Sequence, residues 1–434
     1  MDTIKLGLIG FGTIGSSVVK ILQENGGLIS QRLGGRLELV KIADLDITTD
    51  RGVKVEPGIL TTEVGEILEA PEIDIVIELM GGYEPARSFV LKAIANGKHV
   101  VTANKALLAK YGDELFGAAE KAGVNLLFEA AVGGAIPIIR SIKESFVANR
   151  VEAIEGIVNG TANYILTKMS DEGLPFDQVL KEAQEKGFAE ADPTFDIEGI
   201  DSAHKIAVLT RLAYGTTVDF DAIYVQGISS IRQEDIECAH EFGYRIKLLA
   251  VSKFDGSTID LRVHPAMVPE DKPLANVNGV LNAVLVRDDL MEENILIGHG
   301  AGGLPTGSAV TADVVEIARD IITGCTGRVP SQAFPSGSQT AIPLKNINEI
   351  EAEYFLRFSV QDKPGVLSRI SGILGENQIS IRTMIQRERD PRGGGVPLIL
   401  MTHQALEENV QKSLQEIDSL DVICEKTVLI RVEK

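Results

Sequence analysis

The chain has 434 residues, 44% of them hydrophobic and 24% charged, with a formal net charge of −20 at neutral pH. That length implies two to four domains, the composition is that of a globular protein, and the acidic balance argues against a general affinity for nucleic acid or an anionic membrane surface. No run reaches the ~18 uninterrupted apolar residues of a membrane helix. Asp2 and the absence of an apolar leader argue against a signal peptide, and Cys238, Cys325 and Cys424 are too few and too scattered for a disulfide framework or a metal spacing; a reducing cytoplasm fits.

The first segment, TIKLGLIGFGTIGSSVVKILQEN, predicts a short apolar strand, a glycine turn and an amphipathic helix. The turn runs from Gly10 through Phe11, Gly12, Thr13 and Ile14 to Gly15 and fits G-x-G-x-x-G. Gly10 allows the tight turn, Gly12 lets a pyrophosphate approach the backbone, and Gly15 lets helix and strand pack closely, while the helix start offers free N–H groups. A glycine-rich turn without a ligand is the structural alternative, but the placement between strand and helix favours a dinucleotide site. LELVKIADLD, IDIVIELMGG, KHVVTANKALLAKYGDELFGAAEKAG and VNLLFEAAVGGAIP follow, each a short β-rich run with a turn or helix. They predict a doubly wound, Rossmann-type parallel sheet. An acid after the second strand accepts from ribose hydroxyls and repels a 2′-phosphate, favouring NAD over NADP. The insertion ENGGLISQRLGG lengthens the spacing, so either Asp44 or Asp46 fills that place. Thr102, Ala103 and Lys105 follow the strand HVV, at the carboxyl edge where ligands of such sheets sit. A solvated loop lysine is the alternative for Lys105.

From about Ile136 the pattern changes to an α+β domain: VEAIEGIVNGTANYILTKMSDEG, KLLAVSKF, STIDLRVHPAMV and LNAVLVRDD, then GHGAGGLPTGSAVTADVVEIARDI, a glycine turn opening a long helix. Between them lies an acid-rich stretch carrying Glu190, Asp192, Asp196, Glu198 and Asp201 and ending on Lys205. Asp201 and Lys205 sit four apart at the start of GIDSAHKIAVLTRLA, which has helical apolar spacing, so they share one helix face. By itself such a pair is an ordinary helix salt bridge.

The run Ala183-x-x-x-Gly187-Phe188-Ala189-x-x-Asp192-Pro193-x-x-Asp196-Ile197-x-Gly199-x-Asp201-x-x-x-Lys205 resembles the signature of the homoserine dehydrogenase family, as do GIVNGTANYIL, TANKALLA, EAAVGGAIPII and GAGGLPTGSAVTADVV in their order, over roughly residues 3–330. The resemblance implies reversible NAD(P)H-dependent reduction of L-aspartate 4-semialdehyde to L-homoserine. By it, Glu190 and Asp196 hold the substrate ammonium and Thr161 lies in the substrate loop. Lys205, with Asp201 orienting it, is the first choice for the acid that protonates the C4 oxygen, and Lys105 is the second lysine of the site. Gly187 and Gly302 are implied backbone contacts to the nicotinamide half. A monovalent cation (Na or K) is implied at Glu129, Val132, Gly134 and Ile136. One rival is a semialdehyde dehydrogenase working through cysteine, but no cysteine occurs in the first 237 residues. Another is an amino-acid sensor with a retired catalytic body, against which Lys105, Glu190, Asp201 and Lys205 all count.

After the loop-rich PSGSQTAIPLKNINEIEA, the tail reads β-α-β twice, a ferredoxin-like unit. Its turn Asp362-Lys363-Pro364-Gly365-Val366 resembles that of ACT domains, which implies a small amino-acid effector such as threonine at Asp362, Pro364, Gly365 and Val366, or else a module used only for assembly. The expected layout is a dinucleotide-binding domain over 1–135 with a helix near 306–325 packing back on it, a substrate-binding and dimerisation domain over 136–330, a linker over 331–350 and an ACT domain over 351–434. A homodimer or homotetramer is expected, with no nucleic-acid or membrane partner.

Overall fold

The computed structural model describes residues 2–335, 337–386 and 395–434. Of the segments read above, Met1, Ser336 in the expected linker, and residues 387–394 in the expected ACT domain lie outside the described residues. The chain divides into two compact units: Met1–Gly160 with Asp201–Ala222 and Val280–Ile342, and Thr161–Ile200 with Ile223–Gly279 and Pro343–Lys434.

In the first unit β1 (Thr3–Ile9), β2 (Arg36–Ala43), β3 (Leu60–Thr61), β4 (Ile75–Glu78), β5 (His99–Thr102) and β6 (Leu126–Leu127) form a parallel sheet in the order β3-β2-β1-β4-β5-β6. This is the doubly wound Rossmann order, in which the chain leaves β1 in opposite directions and opens a crevice outside the carboxyl ends of β1 and β4. Helices cover both faces, so these strands are near-continuous apolar runs: Leu6, Leu8, Ile75, Ile77 and Val101 are all fully buried. The inserted residues ENGGLISQRLGG hold a second helix, Gly26–Leu33, after Thr13–Glu24. The helix Gly303–Thr323 returns to pack on Thr13–Glu24, placing Val310, Val314 and Ile317 in one core with Leu8 and Val18. Its glycines permit that approach, since a Cβ on Gly303 would stand 2.4 Å from Ser17 Oγ. The same unit contains the antiparallel strands Val151–Ile157, Leu281–Asp288 and Glu292–His299.

In the second unit Tyr244–Phe254 and Ile259–Pro269 pair antiparallel. The tail forms the expected ferredoxin-like unit. Its strands lie in the order Ile423–Val432, Glu351–Val360, Val396–Thr402, Ile381–Gln386, covered by the helices Val366–Glu376 and Glu407–Asp418. Tyr354, Leu356, Phe358, Ile370, Val410 and Ile417 close its core. The tail is also continuous with the strand before it: Ala266 and Met267 pair in parallel with Arg431 and Val432. Within the expected linker, the N–H of Ile259 donates to Pro343 O at 3.0 Å and that of Lys345 donates to Ile259 O at 2.8 Å.

Candidate functional site

The glycine turn after β1 has the geometry its spacing predicts. Gly10 takes φ +97°, a conformation that favours glycine, and a Cβ there would stand 2.7 Å from Leu79 O. Gly12 faces open space, and a Cβ on Gly15 would stand 2.2 Å from Gly10 O. The helix Thr13–Glu24 begins at Gly12 with no side-chain cap, so its first N–H groups are available to a phosphate. Beside the turn lies a cavity of about 650 Å³ lined by Gly10, Gly12, Asp44, Leu45, Met80 and Phe89, among others. Asp44 and Asp46 part company here. Asp44 lines the cavity and accepts the Phe11 N–H at 2.5 Å. Asp46 is committed to its own loop: hydrogen bonds from Thr49 and Thr48 hold its carboxyl below the usual range, and Arg51 pairs with it at 3.0 Å. Of the two, Asp44 alone borders the cavity.

At the next carboxyl edge, the loop between β5 and the helix Lys105–Ala122 is pinned from below. Thr102 Oγ1 donates to Glu78 Oε2 at 2.6 Å and accepts the Asn104 N–H at 3.0 Å, while Asn104 Oδ1 caps the helix by accepting the Leu107 N–H at 3.1 Å. Burial pushes the Glu78 carboxyl up. This stack leaves Lys105 as the first residue of its helix, aimed at Asp201: Lys105 Nζ lies 2.9 Å from Asp201 Oδ1. Lys205 Nζ lies 2.7 Å from Asp201 Oδ2 and 2.6 Å from the Val158 carbonyl, and Asn159 Nδ2 donates to Asp201 Oδ2 at 2.9 Å. One buried carboxylate thus bridges two ammonium groups from two different helices. Burial alone would raise the Asp201 carboxyl, but the charges of Lys205 and Lys105 and their hydrogen bonds hold it well below the usual carboxylate range.

The loop expected to carry the cation lies in the same unit. Glu129 is buried, and its two oxygens accept the N–H groups of Ile139 at 3.0 Å and Arg140 at 2.8 Å. Burial pushes its carboxyl up to about 7. Asp313, which accepts the Glu129 N–H at 2.8 Å, is pushed up to about 8 by burial and by the Glu129 charge. Gly133 and Gly134 both take positive φ, turning the chain between Val132 and Ile136, and the Ala135 N–H donates to His299 O at 3.0 Å. Among the described residues no cluster of three or more His, Cys, Asp or Glu is arranged to hold a metal. An ion here would rest on one carboxylate and main-chain carbonyls, a donor set suited to a hard monovalent cation.

Gly302, with φ +120°, caps the helix Gly303–Thr323. Thr161, Gly187, Glu190 and Asp196 belong to the second unit. There Thr161, expected in a loop, lies instead in the first turn of the helix Gly160–Glu172 and donates through Oγ1 to Phe188 O at 2.6 Å, Gly187 takes φ +72°, and Asp196 lies in the short helix Thr194–Ile197. In the tail, Gly365 takes φ +88° and caps the helix Val366–Glu376, while the Val366 N–H donates to Lys363 O, so the turn from Asp362 through Pro364 presents a helix N-terminus. Glu78, Asn159 and Asp313 were not singled out from sequence. Glu78 could have been: an acid closing an otherwise apolar strand is a buried charge that needs a reason. Asn159 and Asp313 carry no local signal.

Family models match residues 10–129 (homoserine dehydrogenase, NAD binding domain), 137–315 (homoserine dehydrogenase) and 354–420 (ACT domain). The chain is 43% identical over 433 residues to a homoserine dehydrogenase of Neisseria gonorrhoeae, covering 100% of this chain and 99% of that protein. It is 42% identical over 434 residues to one of Pseudomonas aeruginosa, covering 100% of each. Its structure is similar to the crystal structure of a homoserine dehydrogenase from Thiobacillus denitrificans, with a TM-score of 0.93 and 46% identity over 100% of this chain and 99% of that one. Among the described residues no helix is long and apolar enough to cross a membrane.

Proposed function

The chain belongs to the family of homoserine dehydrogenases, NAD(P)-dependent oxidoreductases carrying here a C-terminal ACT domain, and from that premise we propose how its residues share the work. The reaction is the reversible reduction of L-aspartate 4-semialdehyde to L-homoserine. A bound nicotinamide supplies the hydride. Reduction of an aldehyde leaves negative charge on its oxygen, so the site needs a positioned acid that stabilises that charge and then gives up a proton. Lys205 fills this role, with Asp201 orienting it; Lys105, on the other oxygen of the same carboxylate, assists and is the second candidate for the proton. The observation that carries the reading is this single buried carboxylate shared by two lysines at the carboxyl edge of a Rossmann sheet.

Gly10 to Gly15 cradle the pyrophosphate, and Thr102, Ala103 and Gly302 belong to the nicotinamide side, as does Gly187. Asp44, which borders the cavity beside the turn, favours NAD over NADP. Glu190 and Asp196 take the substrate ammonium, and Thr161, in the first turn of the helix Gly160–Glu172, is the third substrate residue. Glu129 with the carbonyls of Val132, Gly134 and Ile136 holds a monovalent cation. The ACT domain binds a small amino acid such as threonine, and the enzyme works as a homodimer or homotetramer in the cytoplasm. The deciding experiment is homoserine-dependent reduction of NAD+ and of NADP+ by the purified chain. Reduction of neither overturns the reading, and reduction of NADP+ alone overturns the cofactor preference.

A further inference from the structure

The loop 79–85 leaves the carboxyl end of β4 with Leu79, Met80 and Pro85 bordering the cofactor cavity. It is held at its base, where the Met80 N–H donates to Glu78 Oε1 at 2.8 Å and Asn104 Nδ2 donates to Gly82 O at 2.7 Å. Gly81 and Gly82 take φ +78° and +73°, so two consecutive left-handed residues turn the chain just before Tyr83. The half-buried Tyr83 then reaches His204, with its hydroxyl hydrogen-bonded to His204 Nε2 at 3.2 Å. His204 is buried and its ring stacks on Phe220, 4.3 Å between centroids, which fixes the imidazole in place. The Tyr83 ring also meets the edge of Tyr111 at 5.9 Å, and Lys110 Nζ lies over it at 5.4 Å.

These contacts tie the loop at the cofactor cavity to both helices that carry the lysines of the site. His204 sits on Ile200–Tyr214 between Asp201 and Lys205, and Lys110 and Tyr111 sit on Lys105–Ala122. Adjacent residues of a helix do not face each other, so His204 is placed to hold the helix that carries Lys205 rather than to pass it a proton. Reduction puts a hydride on C4 and a proton on its oxygen, so the groups on the two sides of that bond have to stay at a fixed separation. Reacting atoms need to stand about 3–3.5 Å apart, and a misplacement of about 1 Å can cost ~100-fold in rate. We propose that Tyr83 is a positioning residue: its bond to His204 holds the helix bearing Asp201 and Lys205 against the loop bordering the cofactor, and thereby sets the geometry of hydride transfer. The proposal rests on the reading above that the lysines on Asp201 serve the C4 oxygen.

The test uses the full-length protein. Hydride transfer from saturating homoserine to the nicotinamide cofactor is followed in a single turnover, with cofactor binding by calorimetry and a thermal melt of each sample. Tyr83→Phe keeps the ring and its contacts with Tyr111 and Lys110, so it should fold. Tyr83→Phe and His204→Ala are each expected to slow hydride transfer about tenfold or more, with cofactor binding within about threefold of the unaltered chain. The double variant should be no slower than the slower single one, because both remove the same bond. His204→Gln, whose amide reaches the place of Nε2, should recover most of the rate lost in His204→Ala. Hydride transfer within about twofold of normal in Tyr83→Phe overturns the proposal. So do losses that add in the double variant, a loss that His204→Gln shares in full, or a slowing matched by an equal loss of cofactor affinity. The single-turnover rate reads the hydride step whichever group gives the proton. A normal kcat in Lys205→Ala would therefore overturn that assignment and leave the role of Tyr83 to be decided by these variants.

Discussion

Lys205→Ala removes an ammonium that sits 2.7 Å from Asp201 and 2.6 Å from the Val158 carbonyl, and its two consequences can be separated. For stability, stripping one partner from a buried ion pair costs about 3–5 kcal/mol when the other is left uncompensated. Here Asp201 keeps Lys105 at 2.9 Å and Asn159 at 2.9 Å, so the expected loss is smaller, about 1–3 kcal/mol. For catalysis, losing a general acid lowers turnover by at least ~100-fold, or about 2.7 kcal/mol of barrier. The assay is the initial rate of nicotinamide reduction at saturating homoserine, with a thermal melt of each sample in parallel. A variant that melts cooperatively a few degrees early yet turns over ~100-fold more slowly fits the assignment. A variant that keeps kcat within about threefold refutes it, and transfers the proton to Lys105 or to water. Lys105→Ala is the companion measurement. Its side chain is 34% exposed and Asp201 retains Lys205 without it, so it should melt closer to the unaltered chain.

Replacing Asp44 by Ser removes the charge beside the cofactor turn and should narrow the ratio of kcat/KM for NAD+ over NADP+; an unaltered enzyme that strongly prefers NADP+ sinks this idea. If Glu129 holds a monovalent cation, potassium or sodium chloride should raise the melting temperature above that in choline chloride at equal ionic strength, and Glu129→Gln should abolish the difference; an equal response in the variant counts against the site. A third expectation concerns His264, which accepts from Arg262 Nε at 2.9 Å and is bonded through Nδ1 to Pro265 O at 2.9 Å, as a neutral imidazole would be. Burial, with Arg262 and Arg431 nearby and against the pull of Glu433, lowers it from 6.5 to about 4. A lowered folded value means the unfolded chain takes up the proton first, so stability is full above 6.5 and is lost as pH falls toward 4, by about 3 kcal/mol. Melting temperatures across that window should show an acid slope that His264→Gln reduces; identical slopes refute it. Gly15→Ala should weaken cofactor binding and stability together, because its Cβ would collide with Gly10 O at 2.2 Å, and a variant with normal affinity would contradict that packing role.

What the sequence determined by itself was everything that is local in the chain. The glycine spacing after β1 dictates a turn because only glycine tolerates φ +97° at Gly10 and the contact at Gly15. Asp201 and Lys205 share a helix face because residues four apart always do, and the observed 2.7 Å contact follows from that spacing. The strand runs and the two β-α-β repeats of the tail were legible for the same reason: periodicity reports the buried face. Only the tertiary structure decided what joins distant segments. Asp44 and Asp46 look alike in sequence, and the fold separates them by giving Thr48, Thr49 and Arg51 to one and the Phe11 N–H to the other. Lys105, Asn159 and Val158 converge on Asp201 and Lys205 across dozens of residues of chain, a meeting set by strand order and helix packing that no local pattern encodes. The tail tells the same story at larger scale. Its β-α-β pattern shows a module, and only the fold shows that Arg431 and Val432 pair with Ala266 and Met267, with Glu433 held by Arg262 and Lys253, so that the module shares a sheet with the strand before it. Buried charges choose partners by where the fold delivers them, since an unpaired one is too costly to leave in the core.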